Sequence, residues 1–235
     1  MHSPAERPTN ARTVLLGFVL SLTAIAYLDR VCISAAKPAI KTALQLTDSQ
    51  MGYVFSAYTL SYALMEVPAG WLADRFGARL MLTRIVIWWS AMTALSGAAR
   101  GFGSLYAIRL LFGAGEAGAF PSIARVFARW FPASARGRAF GITVMAGTLG
   151  GALTQPLVVA MLGLMSWRHA FSIFGGIGVL WAIAWYAWFR DDPRDHRSVN
   201  AAEVALIGTA SVERHGPPPW RALFRSRSMP AMCVM

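Results

Sequence analysis

From Thr13 to Phe189 the chain alternates long apolar runs with short gaps that hold most of its charges. No other feature constrains the fold as much. Each run is long enough to cross about 30 Å of hydrocarbon at about 1.5 Å per helical residue. Backbone polar groups in hydrocarbon must be satisfied internally, so runs of this length are read as helices. Six spanning segments are expected, at 13–35, 52–72, 80–98, 104–127, 138–162 and 168–190. Charged residues make up 14% of the chain, against about a quarter in soluble domains. The expected class is an all-α membrane protein.

The net charge of +11 does not point to nucleic acid, because Lys and Arg sit in the gaps and form no basic helix face. Their distribution gives an orientation instead. Of the 22 Lys and Arg residues, only Lys37, Lys41, Arg100 and Arg168 fall on the side away from the N-terminus, while Arg30 and Arg109 lie inside segments. The positive-inside rule then makes the N-terminus cytoplasmic in a multi-pass protein of the bacterial inner, or plasma, membrane. The opening "MHSPAERPTNAR" leads into a run too long for a secretory signal, with no small-residue cleavage site. The layout expected is a cytoplasmic tail at 1–12, a six-helix bundle at 13–190, a cytoplasmic linker at 191–228 and the truncated start of a seventh span at 229–235. Within the linker, "SVNAAEVALI" reads as an amphipathic helix on the membrane surface. Cys32 and Cys233, and His2, His169, His196 and His215, have no metal-ligand spacing. No metal or cofactor is expected.

Four ionisable residues stand where solvation is poorest: Asp29 and Arg30 in the first segment, Arg109 and Glu116 in the fourth. Each costs about 2.5–3.5 kcal/mol at the centre of a spanning helix, so each needs a wet cavity or a partner. In one continuous fourth helix, Arg109, Gly113, Glu116 and Phe120 share a stripe, and Tyr27 and Arg30 share a face of the first. Depths along the two helices place Arg109 and Arg30 towards the outer half and Glu116 near the middle, so the charged groups could meet in one cavity opening between the helices. Seven tryptophans, Trp88 and Trp89 among them, read mostly as anchors near helix ends.

The loop "GWLADRFGARL" resembles the G-x-x-x-D-R-x-G-x-R loop of the major facilitator superfamily, with Leu80 where a further basic residue often stands. "YLDRVCIS", "RLLFGAGEAGAFPSIARVFARWFPASARGRAFG", "WRHAF" and "RDDP" are similar to its anion:cation symporter branch. The resemblance reaches about Pro193 and implies the N-terminal half of a secondary transporter, two inverted three-helix repeats long. It implies a small organic anion such as a sugar acid or other carboxylate, carried with protons or, in some members, sodium. It also implies a gating role for Gly70, Asp74, Arg75, Gly77 and Arg79, with Asp74 contacting a helix of a C-terminal six-helix half.

The residues fit that implication. Guanidinium forks match carboxylates, so Arg30 is the expected anion contact. Tyr27, Tyr58, Tyr62 and Gln155 are candidate substrate contacts, and Asp29 and Glu116 the candidate proton carriers. Arg109 is either a second anion contact or the group that tunes Glu116. Glu66 reads as a surface carboxylate. Two alternatives stay open: the four charges merely lock helices together, or the chain is a truncated, non-transporting fragment or subunit. No protease dyad or zinc motif supports an enzyme.

Overall fold

A computed structural model describes residues 8–208. Among these the chain forms nine α-helices and one 3-10 turn, without strands. Arg7, Arg214, Arg221, Arg225 and Arg227, His2, His215, Cys233 and the expected seventh span lie outside the described residues. The helices are α1 (Ala11–Ala35), α2 (Lys37–Leu44), α3 (Asp48–Phe76), α4 (Ala78–Gly97), α5 (Phe102–Glu116), α6 (Ala119–Trp130), α7 (Ala133–Leu164), α8 (Trp167–Trp188) and α9 (Ala201–Ile207). Four of them, α1, α4, α7 and α8, are long and apolar enough to cross a membrane. Helix α3, at 29 residues, is also long enough, but Tyr58, Ser61, Tyr62 and Glu66 along its middle make it less apolar. It starts on a capping box: Thr47 Oγ1 accepts from the Gln50 amide at 3.2 Å, and Gln50 Oε1 from the Thr47 amide at 2.9 Å.

The fourth expected segment, 104–127, is not one helix. Helix α5 stops at Glu116, Ala117 is extended (φ −53°, ψ 138°), and Gly118 is left-handed (φ 92°) before α6 begins. A side chain at Gly118 would be strained there and would also meet Ala69 Cβ at 2.6 Å. The stripe through Arg109, Gly113 and Glu116 therefore ends at the break. Phe120 belongs to α6, where its ring packs near Phe140.

The closest helix pairs are α1 with α7, α3 with α5 and α4 with α8. Take α1, α3 and α4 as one unit and α5–α6, α7 and α8 as the other. Exchanging the units turns the first pair into the second and leaves the third unchanged. This is the pairing a pseudo-two-fold between inverted three-helix repeats requires. Small residues allow the approach: a Cβ on Gly113 would overlap the Tyr58 carbonyl and Ser61 Oγ of α3. One apolar cluster, with Trp89, Phe112, Phe127, Trp130 and Trp185, fills the half where α1 begins; another, with Met51, Leu105, Phe171 and Phe174, fills the opposite half. Trp88 and Trp89 thus lie midway along α4, not at its end.

At the end where α1 begins, the chain after α8 folds back under the bundle. Trp130 Nε1 donates to the Arg190 carbonyl at 3.1 Å. Asp191 Oδ1 accepts from the Ala78 and Arg79 amides at 2.7 and 3.2 Å, completing the N-terminus of α4. Asn200 Oδ1 caps α9 through the Glu203 amide at 2.9 Å. Buried Glu203 pairs with Arg12 Nε at 2.7 Å. The stretch expected as an amphipathic helix thus contains α9, which is tied to α1.

His196 is buried between Trp130 and Trp188, with ring centroids 5.5 and 4.6 Å away. Burial there, helped by nearby Arg190, lowers its pKa from the usual value, against a smaller opposing effect of the Trp188 backbone. The folded chain thus binds the proton less readily than the unfolded chain. Its stabilising contribution is complete above the unfolded pKa, about 6.5, and declines as pH falls through that value. The melting temperature is expected to drop on acidification from about pH 7.5 to 5.5, with a smaller drop in His196→Gln. Equal drops in both proteins would exclude this role for His196.

Candidate functional site

The charged residues are carried by α1 and by the last turns of α5, with α3, α4 and α7 as walls. Adjacent residues on a helix point about 100° apart, so Asp29 and Arg30 leave α1 in different directions. Arg30 turns towards α3 and α5. Its Nη2 donates to Glu116 Oε1 at 2.9 Å, with the Arg30 side chain 28% exposed and that of Glu116 2% exposed. Three rings surround the guanidinium: Tyr27, Tyr58 and Tyr62, with centroids 5.3, 5.4 and 5.2 Å from Cζ. Such contacts each contribute about 0.5–2 kcal/mol and also shape the opening. Tyr27 lies on Gly147 and Gly151 of α7, where added Cβ atoms would approach its ring to 2.7 and 3.2 Å. Tyr58 and Tyr62, one turn apart on α3, stand 5.9 Å from each other. The pair is half satisfied: among the described residues Glu116 Oε2 and Arg30 Nε have no hydrogen-bond partner.

Asp29 faces the opposite way, into the packed interior. It is fully buried, and among the described residues neither carboxylate oxygen has a partner that meets hydrogen-bond geometry. Trp89 and Thr93 of α4 are its nearest polar neighbours. Arg109 is also interior, 2% exposed. Its Nη2 approaches Ser96 Oγ at 3.5 Å, and its guanidinium lies 4.8 Å from the Phe112 ring centre. Arg109 is within electrostatic reach of both Asp29 and Glu116. The four charges thus fall into two groups: Arg30 and Glu116 with the three tyrosines, and buried Asp29 and Arg109, each within electrostatic reach of Glu116. Gln155 sits on the exposed face of α7, one turn past Gly151. Glu66 is exposed as well.

The loop residues gather where α3 meets α4. Asp74 Oδ1 accepts from Arg125 Nη1 of α6 at 2.8 Å, so its partner among the described residues is within this bundle. Gly70 packs on Pro121, and Gly77 (φ 83°) lies against the Asp191 carboxylate. Arg79 donates to the Tyr186 carbonyl at 2.6 and 3.0 Å. Arg75 is exposed beside Trp71 and Phe76. Residues that sequence reasoning passed over are Thr93 and Ser96, which share a face of α4 with Trp89, read there as an anchor, and Arg125. Their spacing was visible, but nothing in it said which α4 face met Asp29.

A family model described as Major Facilitator Superfamily matches residues 19–235. The chain is 40% identical over 222 residues to "Probable sulfoacetate transporter SauU" of Cupriavidus necator, covering 91% of this chain and 51% of that protein. It is 35% identical over 234 residues to "Probable L-galactonate transporter" of Escherichia coli K12, covering 98% and 51%. It is 34% identical over 211 residues to "Probable galactarate/D-glucarate transporter GudP" of Bacillus subtilis, covering 87% and 46%. The chain spans about half the length of the curated relatives it matches. Among solved structures, a bacterial homologue of the human lysosomal transporter Spinster, inward-facing and occupied, superposes with TM-score 0.74 at 28% identity, over 80% of this chain and 46% of that one. The proton:xylose symporter XylE gives TM-score 0.64 at 16% identity, over 77% and 46%, a likeness of fold alone.

Proposed function

Because the chain belongs to the Major Facilitator Superfamily, we propose that it is the N-terminal half of a secondary transporter that moves a small organic anion together with a proton. The chain's relatives are organic-acid transporters by name. One observation carries the finer reading: a buried carboxylate holds one side of a guanidinium whose other side is ringed by tyrosines and open. An incoming carboxylate or sulfonate competes with Glu116 for Arg30. Protonating Glu116 removes that competitor, so proton and anion favour each other's binding. Tyr27, Tyr58 and Tyr62 present hydroxyls around the anion. Asp29, across Glu116 from the opening, is the second proton carrier. Arg109 tunes the carboxylates; its burial and its electrostatic reach to both support that reading. Asp74, Arg75, Gly77 and Arg79 form the cytoplasmic gate edge, and Gln155 faces the second half. The end where α1 begins is cytoplasmic, in the inner membrane.

The test is transport by the natural gene product in proteoliposomes, with sulfoacetate, D-galactonate and D-glucarate as probes. An inward proton gradient is expected to drive accumulation of at least one probe, and a sodium gradient not to. Glu116→Gln is expected to keep anion exchange but lose gradient-driven accumulation. Full accumulation by Glu116→Gln would reject proton coupling at this residue. Absence of transport of any organic anion would favour the alternative, a non-transporting membrane fragment or subunit.

A further inference from the structure

Midway along α4, Trp88 does something an interfacial anchor does not. Its indole Nε1 donates to the carbonyl of Leu111 in α5 at 2.8 Å. Its five-membered ring occupies the space that a side chain on Gly115 would fill: a Cβ there would overlap Cδ1, Nε1 and Cγ. Gly115 is one residue before Glu116 and three before left-handed Gly118. Trp88 as a whole remains 43% exposed on the bundle surface. In hydrocarbon an indole N–H needs an acceptor, and a helix carbonyl has a second lone pair to offer beyond its own ladder bond. The same carbonyl is the one to which the Gly115 amide belongs in an α-helix.

We propose that Trp88 is a positioning residue for Glu116. This deepens, and rests on, the transporter reading. Past Glu116 the α5 ladder continues for one bond only, from the Ala117 amide to the Gly113 carbonyl at 3.1 Å, before Gly118 turns the chain away. Trp88 adds a second hold on this last turn. The ring in the Gly115 notch prevents the turn from rotating about its axis, and the indole hydrogen bond fixes its height. Glu116, about 100° further round the helix, is thereby kept against Arg30. A one-residue step relates notch and carboxylate, and a displacement of about 1 Å at a reacting group can change a rate by about a hundredfold.

Three variants of the natural gene product test this, with D-galactonate as the probe: Trp88→Phe, which keeps a ring but no donor, Trp88→Leu, and Gly115→Ala, which forces the ring out. Each is expected to lower proton-gradient-driven accumulation roughly tenfold, with a smaller change in gradient-free counterflow. A purely structural role would lower both together, in step with melting temperature. Hydrogen exchange at residues 112–118 provides a reading that does not depend on transport: amides there are expected to exchange about tenfold faster in Trp88→Phe, with unchanged rates in α8. If the wild type moves no anion, the functional reading fails and the wedge is judged by exchange alone. Unchanged exchange at 112–118, or wild-type accumulation in all three variants, overturns the proposal.

Discussion

Arg30→Ala is expected to reduce organic-anion uptake by the natural gene product by at least about a hundredfold. Charge-assisted hydrogen bonds contribute about 1.5–3 kcal/mol each, and a carboxylate held by a fork makes two. Losing both corresponds to roughly two or more factors of ten at about 1.4 kcal/mol per factor. The same substitution acts on the fold. It leaves Glu116, buried and with one oxygen already unpartnered, without its cation. Removing one member of a buried pair costs about 3–5 kcal/mol, and the lower end applies because Arg30 is partly exposed. The two effects separate in the double variant. Arg30→Ala with Glu116→Gln removes the uncompensated charge, so most of the lost melting temperature should return while uptake stays abolished. Arg30→Lys keeps the charge but not the fork, and is expected to fall between. Uptake within about threefold of wild type in Arg30→Ala would remove the anion site from this residue.

Much of this was legible in the sequence, and the rest was not for identifiable reasons. Apolar runs of spanning length marked α1, α4, α7 and α8 because nothing else tolerates such surface, whereas the break in α5–α6 left no trace. "GAGEAGAF" is acceptable inside a continuous membrane helix, and only the fold shows that Gly118 is left-handed and lies too close to Ala69 of α3 for a side chain. That Asp29 and Arg30 diverge follows from their adjacency on a helix. Which one faces the interior depends on α4, where Trp89 and Thr93 meet Asp29, and one sequence does not report on it. Arg12 and Glu203 pair across 191 residues, beyond any local pattern. Trp88 was misplaced by a sound average: tryptophans do favour membrane interfaces. The exception needed an acceptor at mid-membrane, and a glycine to make room beside it.

Gly113→Leu is expected to prevent α3 and α5 from closing, with about 3 kcal/mol or more lost from bundle stability. The argument is steric and local. Even a Cβ would overlap the Tyr58 carbonyl and Ser61 Oγ, and the first of these is helix backbone, which cannot turn aside as a flexible side chain does. The helices must part, and the residues they carry part with them: Tyr58 and Tyr62 on one, Arg109 and Glu116 on the other. The tyrosine ring around Arg30 opens from the same displacement that loosens the packing of Phe112 on Tyr58, now 5.6 Å between ring centres. Gly103→Leu, on the same helix but with nothing near its Cβ position, provides the control and should melt near wild type. If Gly113→Leu also melts near wild type, close contact between the first helix of one repeat and the second of the other is not what holds the site together. The tyrosines would then owe their position to α1 and α7 alone. Gly113→Ala grades the effect, since it adds the colliding atom without the branches; its loss should be smaller yet measurable.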